Sequence, residues 1–190
     1  MTFSIIMPTY QRPHTLPRAI ASVLAQTYPD WELIVVNNDT ARVDVPEHQR
    51  IRVMQHTERA SASYARNCGL AEAKGDVVCF ADDDDIMLPD ALEMFESQFR
   101  LHPNAKLVHG GIRWCSGELN FSFATPSCAV RRQFATPTWG DQNFTQDQIY
   151  WGNLMIANGW TVTAGDIVML DRVVCVAFTD PRGGLRSGNL

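Results

Sequence analysis

Positive charge, paired cysteines and long apolar runs are all scarce in this sequence, and each shortage removes a class of function. Lys and Arg total 16 against 21 Asp and Glu, for a net charge of -5. No cluster of basic side chains is present to grip a phosphate backbone, so nucleic acid is not an expected partner. The five cysteines, Cys68, Cys79, Cys115, Cys128 and Cys175, are odd in number and show no C-x-x-C spacing. That pattern argues against a disulfide framework or a zinc site and reads as reduced, mostly core cysteines of a cytoplasmic chain. The opening MTFSIIMPTY has a short apolar stretch without a basic leader, and no segment reaches spanning length, so neither a signal peptide nor a transmembrane segment is expected. Internal repeats and low-complexity tracts are absent too.

What is present is enough apolar material for a core. A chain of 190 residues with 45% apolar content falls in the range of one domain, taken here as residues 1–190. The first hundred residues alternate short apolar runs with helical patterns, the signature of an α/β fold with a mostly parallel central sheet between helices. FSIIM (3–7) reads as the first strand, and Leu16, Ile20, Val23, Leu24 and Thr27 form a helical stripe after it. WELIVVN (31–37) and IRVMQH (51–56) are the second and third strands. SASYARNCGLAEAKG carries a second apolar stripe and closes at Gly75, expected to serve as a left-handed cap. DVVCFA (76–81) is the fourth strand, and DALEMFESQFRLHP, after Pro89, is the third helix.

Residues 104–180 follow a different pattern. KLVHGGIRW and ELNFSF, separated by CSG, read as a hairpin. TQDQIYWGNLMIANG reads as a helix, capped by Thr145 with Gln148 and stopped by Asn158 and Gly159. WTVT and DIVMLDRVVCVAF read as closing strands, and residues 181–190 as a mobile tail.

The chemically loaded stretch is CFADDDDIMLPD, residues 79–90, with four successive carboxylates behind an apolar strand. Two carboxylates about 6 Å apart at an effective dielectric near 20 repel by roughly 3 kcal/mol, so Asp82 to Asp85 need full solvation or a cation. Open α/β sheets bind ligands at the C-terminal strand edge, where this run sits. Hard oxygen donors there suit Mg²⁺ or Mn²⁺. In an extended segment Asp82 and Asp84 would face one way and Asp83 the other. An isolated acidic run can also be a plain solvated turn that caps the following helix.

Two long segments carry a resemblance. SIIMPTYQRPHTLPRAIASVLAQTYPDWELIVVNNDT resembles the opening of the family 2 glycosyltransferases of GT-A fold, and ARNCGLAEAKGDVVCFADDDDIMLPDAL is similar to their ARNxGxxxAxGxYIxFLDxDDxxxPxxL; together they cover about residues 3–102. The resemblance implies a three-layer α/β/α sandwich and an inverting, metal-dependent transfer of sugar from a nucleoside-diphosphate donor to an acceptor hydroxyl. Asp82 and Asp84 match the D-x-D and are the implied holders of Mn²⁺ or Mg²⁺, Asp84 first, with Asp82 or Asp83 reaching the ribose or a metal-bound water. Pro8, Thr9 and Tyr10 match the PTY that contacts the base. Where the family has VDDGS this chain has Asn37, Asn38, Asp39 and Thr40, so Asn38 stands where a carboxylate accepts a hydrogen bond from the base; a simple turn would use the same residues. Arg66 and Asn67 match ARN, and Arg66 is implied either to reach the diphosphate or to brace the acidic loop. Arg12 and His14 lie nearby as further polar candidates.

QDQIYW resembles the family's EDWDLW and makes Asp147 the implied general base, although Gln146 replaces the Glu; Asp141 and Asp166 are reserves. Asp147 would otherwise only stabilise a helix N-terminus. The implied acceptor is a glycan, a lipid-linked sugar or another hydroxyl, and a homo-oligomer or partner subunit would complete a chain short for the family. Two rival classes are a catalytically degenerate nucleotide-sugar-binding protein on the same fold and a nucleotidyltransferase. The second is disfavoured by the lack of a Gly-rich loop with a Lys near the first strand.

Overall fold

The computed structural model describes residues 1–56, 61–121, 125–136, 150–151, 154–156, 158–161 and 165–178. Strands β1 (Phe3–Thr9), β2 (Trp31–Asn37), β3 (Ile51–Gln55) and β4 (Val77–Phe80) pair in parallel in the order β3-β2-β1-β4. Their apolar residues run together because β1, β2 and β4 are covered on both faces, as sequence continuity predicts for inner parallel strands.

Strand alternation divides those residues between two cores. Phe3, Ile5 and Met7 pack with Leu16, Ala19, Ile20 and Val23 of α1 (Leu16–Leu24) and with Leu92, Phe95 and Phe99 of α3 (Ala91–Leu101). On the opposite face Ile6, Ile34, Val78 and Phe80 meet Ala65 and Leu70 of α2 (Ala62–Glu72), together with Tyr150, Trp151 and Leu154. Three layers result, with the sheet in the middle.

Beyond β4 the sheet is mixed. β5 (Ile86–Met87), β6 (Leu107–Trp114), β7 (Leu119–Asn120), β8 (Cys128–Arg131) and β9 (Ile167–Ala177) complete nine strands among the described residues; the order continues β4-β8-β6-β9-β5, with β7 beside β6. β8 runs antiparallel to both β4 and β6, whereas β6 and β9 run parallel. The β6–β7 pair is the expected hairpin, with β7 confined to two residues.

Several expectations change. Gly75 is not a left-handed cap: α2 ends at Glu72, and a β-carbon on Gly75 would lie 2.7 Å from both the Ser4 N and the Thr2 O. Its small size, not its φ, is what the fold uses. Trp160 and Thr161 are outside any strand, and residues 162–164 of WTVT lie outside the described residues. Of the helix expected over 145–159, Tyr150, Trp151, 154–156 and 158 are helical, and Gly159 takes φ 63° as the stop. Residues 137–149 and the expected tail at 181–190 also lie outside the described residues. No helix among the described residues is long and apolar enough to cross a membrane.

The approach at Gly75 is held by a polar knot. The Ser4 hydroxyl donates to Glu32 at 2.7 Å and accepts from the Gly75 N at 2.8 Å and the Lys74 N at 3.2 Å. Glu32 also accepts from Lys74 N and Arg52. Gly75→Ala is expected to lower stability by about 1–3 kcal/mol, since backbone atoms must move to admit the methyl group. A urea midpoint unchanged from wild type would contradict that close approach.

Candidate active site

The C-terminal ends of β1, β2 and β4 open on one sheet edge, where β1 is flanked by strands that follow it in sequence through separate helices. Such a switch point leaves a crevice between the loops. Thr9 and Asn37 are paired at the end of the β1–β2 ladder, and the Asn38 N donates to the Thr9 O at 2.9 Å. Pro8 is buried inside β1 opposite Val36, Tyr10 is half-buried just beyond it, and Gln11 adopts φ 53° in the loop toward α1. A positive φ at a residue with a side chain is uncommon and marks a tightly determined loop.

The two asparagines do different work. The Asn37 amide donates to the Ala41 O at 2.8 Å and Gln55 Oε1 at 2.9 Å, and its Oδ1 accepts from the Asp39 N at 3.1 Å. It is a turn-former. Asn38 is 3% exposed, and its amide nitrogen donates to the Ser61 O at 3.3 Å. Its Oδ1 is buried without a hydrogen-bond partner among the described residues. A buried acceptor left unpaired is costly and fits a site whose partner arrives with a ligand.

Asp82 to Asp85 form a turn, closed by a 3.3 Å bond from the Asp85 N to the Asp82 O, and not the extended segment expected from the sequence. Alternation nonetheless persists: Asp82 and Asp84 are partly exposed, while Asp83 and Asp85 are 8% and 3% exposed. Each outward carboxylate has a guanidinium beside it. Arg66 meets Asp82 Oδ1 at 2.9 Å, and Arg12 lies 3.8 Å from Asp84 Oδ2. Arg66 is itself buried, so it braces the acidic turn. Burial pushes the Asp83 carboxyl up to about 7; the Asp84 and Asp82 charges add to this, while the Thr9 hydroxyl and the Arg12 guanidinium oppose it.

Beside Asp85 of the acidic run, two residues that were not singled out from the sequence, Arg18 and Phe178, fix the turn. Asp85 Oδ1 accepts from the Phe178 N at 3.0 Å, and Arg18 donates to the Asp84 O at 2.7 Å. The Arg18 guanidinium also lies 3.9 Å from the centre of the Phe178 ring. His14 is exposed. Asp166 sits at the opposite sheet edge, since it pairs with Lys106 at 2.8 Å just before β6, which runs in the same direction as β4. That position removes it as a reserve base. Asp147 and Asp141 lie outside the described residues.

The donor set at the turn fits a divalent cation held in part by its ligand. Asp82 and Asp84 supply two hard carboxylates with 17% and 15% side-chain exposure. Among the described residues no three His, Cys, Asp or Glu side chains gather into a metal cage. An ion bound here would take its remaining positions from phosphate and water, the usual manner of Mg²⁺.

The profile of glycosyl transferase family 2 matches residues 4–156. The chain belongs to that family. Among curated relatives of this family 2 chain, UDP-Glc:alpha-D-GlcNAc-diphosphoundecaprenol beta-1,3-glucosyltransferase WfgD of Escherichia coli is 38% identical over 112 residues, covering 56% of this chain and 44% of the relative. The putative colanic acid biosynthesis glycosyl transferase WcaA of Escherichia coli is 25% identical over 154 residues, 77% of this chain and 55% of its own. The chain thus spans about half the length of these two relatives.

Solved structures share the fold at low identity. S. aureus TarS 1-349 in complex with UDP-GlcNAc superposes with a TM-score of 0.75 at 18% identity, over 95% of this chain and 59% of TarS. Mannosyltransferase PcManGT from Pyrobaculum calidifontis, in complex with GDP-Man and Mn2+, gives 0.67 at 17% identity over 95% and 58%. The family 2 chain has the GT-A fold expected from its sequence.

Asp83 gives the site a testable pH signature. Its folded pKa lies above the unfolded value near 3.9, so the folded state holds the proton more tightly. The contribution is complete below about pH 4 and is lost as pH rises through about 7. In chelator, the wild type is expected to lose a few kcal/mol more than Asp83→Asn between those limits, read from paired urea titrations. Parallel pH profiles for the two proteins would refute the burial of that carboxyl.

Proposed function

We propose that this chain is an inverting glycosyltransferase that moves a sugar from a nucleoside-diphosphate donor to an acceptor hydroxyl with the help of a divalent cation. The observation that carries the reading is the pair Asp82 and Asp84, facing outward at the C-terminal edge of β4, each beside an arginine. The family membership and the nucleotide-sugar complexes of TarS and PcManGT support it.

In this reading the base lies between the ends of β1 and β2. Tyr10 offers an aromatic face there, and Asn38 Oδ1 accepts an N–H from the base. Asp82 or Asp83 would reach the ribose or a metal-bound water, and Asp82 and Asp84 would hold the cation. Mn²⁺ or Mg²⁺ would neutralise charge on the departing diphosphate. Arg12 adds positive charge at the same end, and Arg66 holds Asp82 in place.

Asp147 takes the proton of the acceptor hydroxyl as that oxygen attacks the anomeric carbon. An ordinary Asp, with a solution pKa near 3.9, assists during attack and does not deprotonate the hydroxyl beforehand. Attack from the face opposite the leaving group inverts the anomeric centre. The donor half is residues 1–103 and the acceptor half 104–180, acting as one domain. WfgD is named for a lipid-linked acceptor, which makes a lipid-linked sugar the first acceptor class to test alongside glycans. A cytoplasmic site of action fits five cysteines that form no disulfide among the described residues.

Asp84→Asn is expected to abolish transfer with an unchanged urea midpoint, because the carboxylate is partly exposed. Turnover at the wild-type rate with metal present would remove Asp84 from the site. A panel of nucleotide sugars scored by thermal shift, with and without Mn²⁺, identifies the donor: at a hundred times its dissociation constant a ligand adds about 2.7 kcal/mol of stability. Binding without turnover or donor hydrolysis would instead favour a degenerate binding protein, and pyrophosphate release from a nucleoside triphosphate would favour a nucleotidyltransferase.

A further inference from the structure

We propose that Arg18, Asp85 and Phe178 form a clamp that positions Asp84 for the donor, so that the end of β9 sets the donor affinity of an acidic turn far away in sequence. This rests on the reading of Asp82 and Asp84 as the donor site. None of the three touches the reacting atoms; they are positioning residues.

The geometry is closed on every side of the turn. Its N-terminal end is fixed to the sheet, since the Ala81 N donates to the Ile6 O at 2.9 Å. Its C-terminal end enters β5, where Ile86 pairs with Val176 and Met87 with Cys175 of β9. Between these anchors Asp85 turns inward, 3% exposed, and receives the Phe178 N–H, one residue beyond the last residue of β9.

Arg18 closes the loop from the helix side. Its guanidinium donates to the Asp84 O at 2.7 Å and covers the Phe178 ring at 3.9 Å. The carbonyl and the side chain of Asp84 leave the same residue, so a displacement of the backbone there carries the carboxylate with it. Arg18 therefore fixes the backbone of the proposed ligand while Phe178 fixes Arg18. Misplacement by about 1 Å at such a group is enough to weaken the function it serves. Arg18 is exposed on α1, so its truncation leaves the core intact.

The test is calorimetric titration in Mn²⁺ with whichever of UDP and GDP binds the wild type more tightly. Arg18→Ala and Phe178→Ala are each expected to weaken binding about tenfold, and the double variant no further, because the two side chains act as one unit. Phe178→Tyr retains the ring and should restore affinity to within about twofold of wild type. Urea midpoints of the Arg18→Ala protein should match wild type, which separates positioning from loss of fold. Unchanged affinity in Arg18→Ala, or losses that multiply in the double variant, would overturn the clamp while leaving the donor site standing. Failure of wild type to bind either nucleotide would overturn both.

Discussion

Electrostatic self-repulsion at the end of β4 is the constraint around which this structure is arranged. Four adjacent carboxyl groups at one turn cannot all be ionised, buried and unpaired. The chain resolves this in three ways at once. Asp82 and Asp84 face outward to arginines, Asp83 is buried with its proton affinity raised, and Asp85 turns inward to accept a backbone N–H. A merely decorative acidic turn would need none of these arrangements, since solvent alone would suffice. The elaborate compensation favours a turn held ready for a cation and phosphates.

The sheet explains why this chemistry lies at an edge. β1, β2 and β4 are buried on both faces, so their side chains belong mostly to two apolar cores and leave few polar positions within the layers. Ser4 is an instructive exception: it is wholly buried, and its hydroxyl is fully engaged by Glu32, Lys74 and Gly75. Such a residue stabilises the frame and is unavailable to a ligand. Ligand-facing groups must come from the loops just beyond the strands, which is where Asn38 and the acidic turn lie.

The parallel half of the fold was legible in the sequence because its signals are local. Apolar continuity marked β1, β2 and β4, and helical stripes marked α1 to α3. β8 was missed: CAVR is four residues long, follows a proline-bearing stretch, and exists because β4 and β6 both pair with it. β5 is shorter still and depends on β9. In the candidate site, the acidic run and the Arg66 that braces it were readable, whereas the contact between Asp85 and Phe178 spans 93 positions with no periodic signature. Gly75 shows a subtler failure. The residue was singled out, but sequence alone could not tell a backbone conformation from a lack of space.

The paired asparagines show how little separates a turn-forming residue from one proposed to meet a ligand. Asn37 and Asn38 are adjacent and chemically identical, and both are almost wholly buried. Every hydrogen-bonding atom of Asn37's side chain is used by the turn and by Gln55. Asn38 has only its nitrogen occupied, and that nitrogen faces the Ser61 carbonyl, which can accept but not donate. The bond therefore fixes which end of the amide is spare, and the spare end is an acceptor. A neutral acceptor in a buried place costs less to leave unpaired than a carboxylate would, and it still selects a partner with an N–H to give. In the proposed reading, an amide in place of the charge keeps the direction of the hydrogen bond that the resemblance implies while removing one more negative group from an edge already crowded with them.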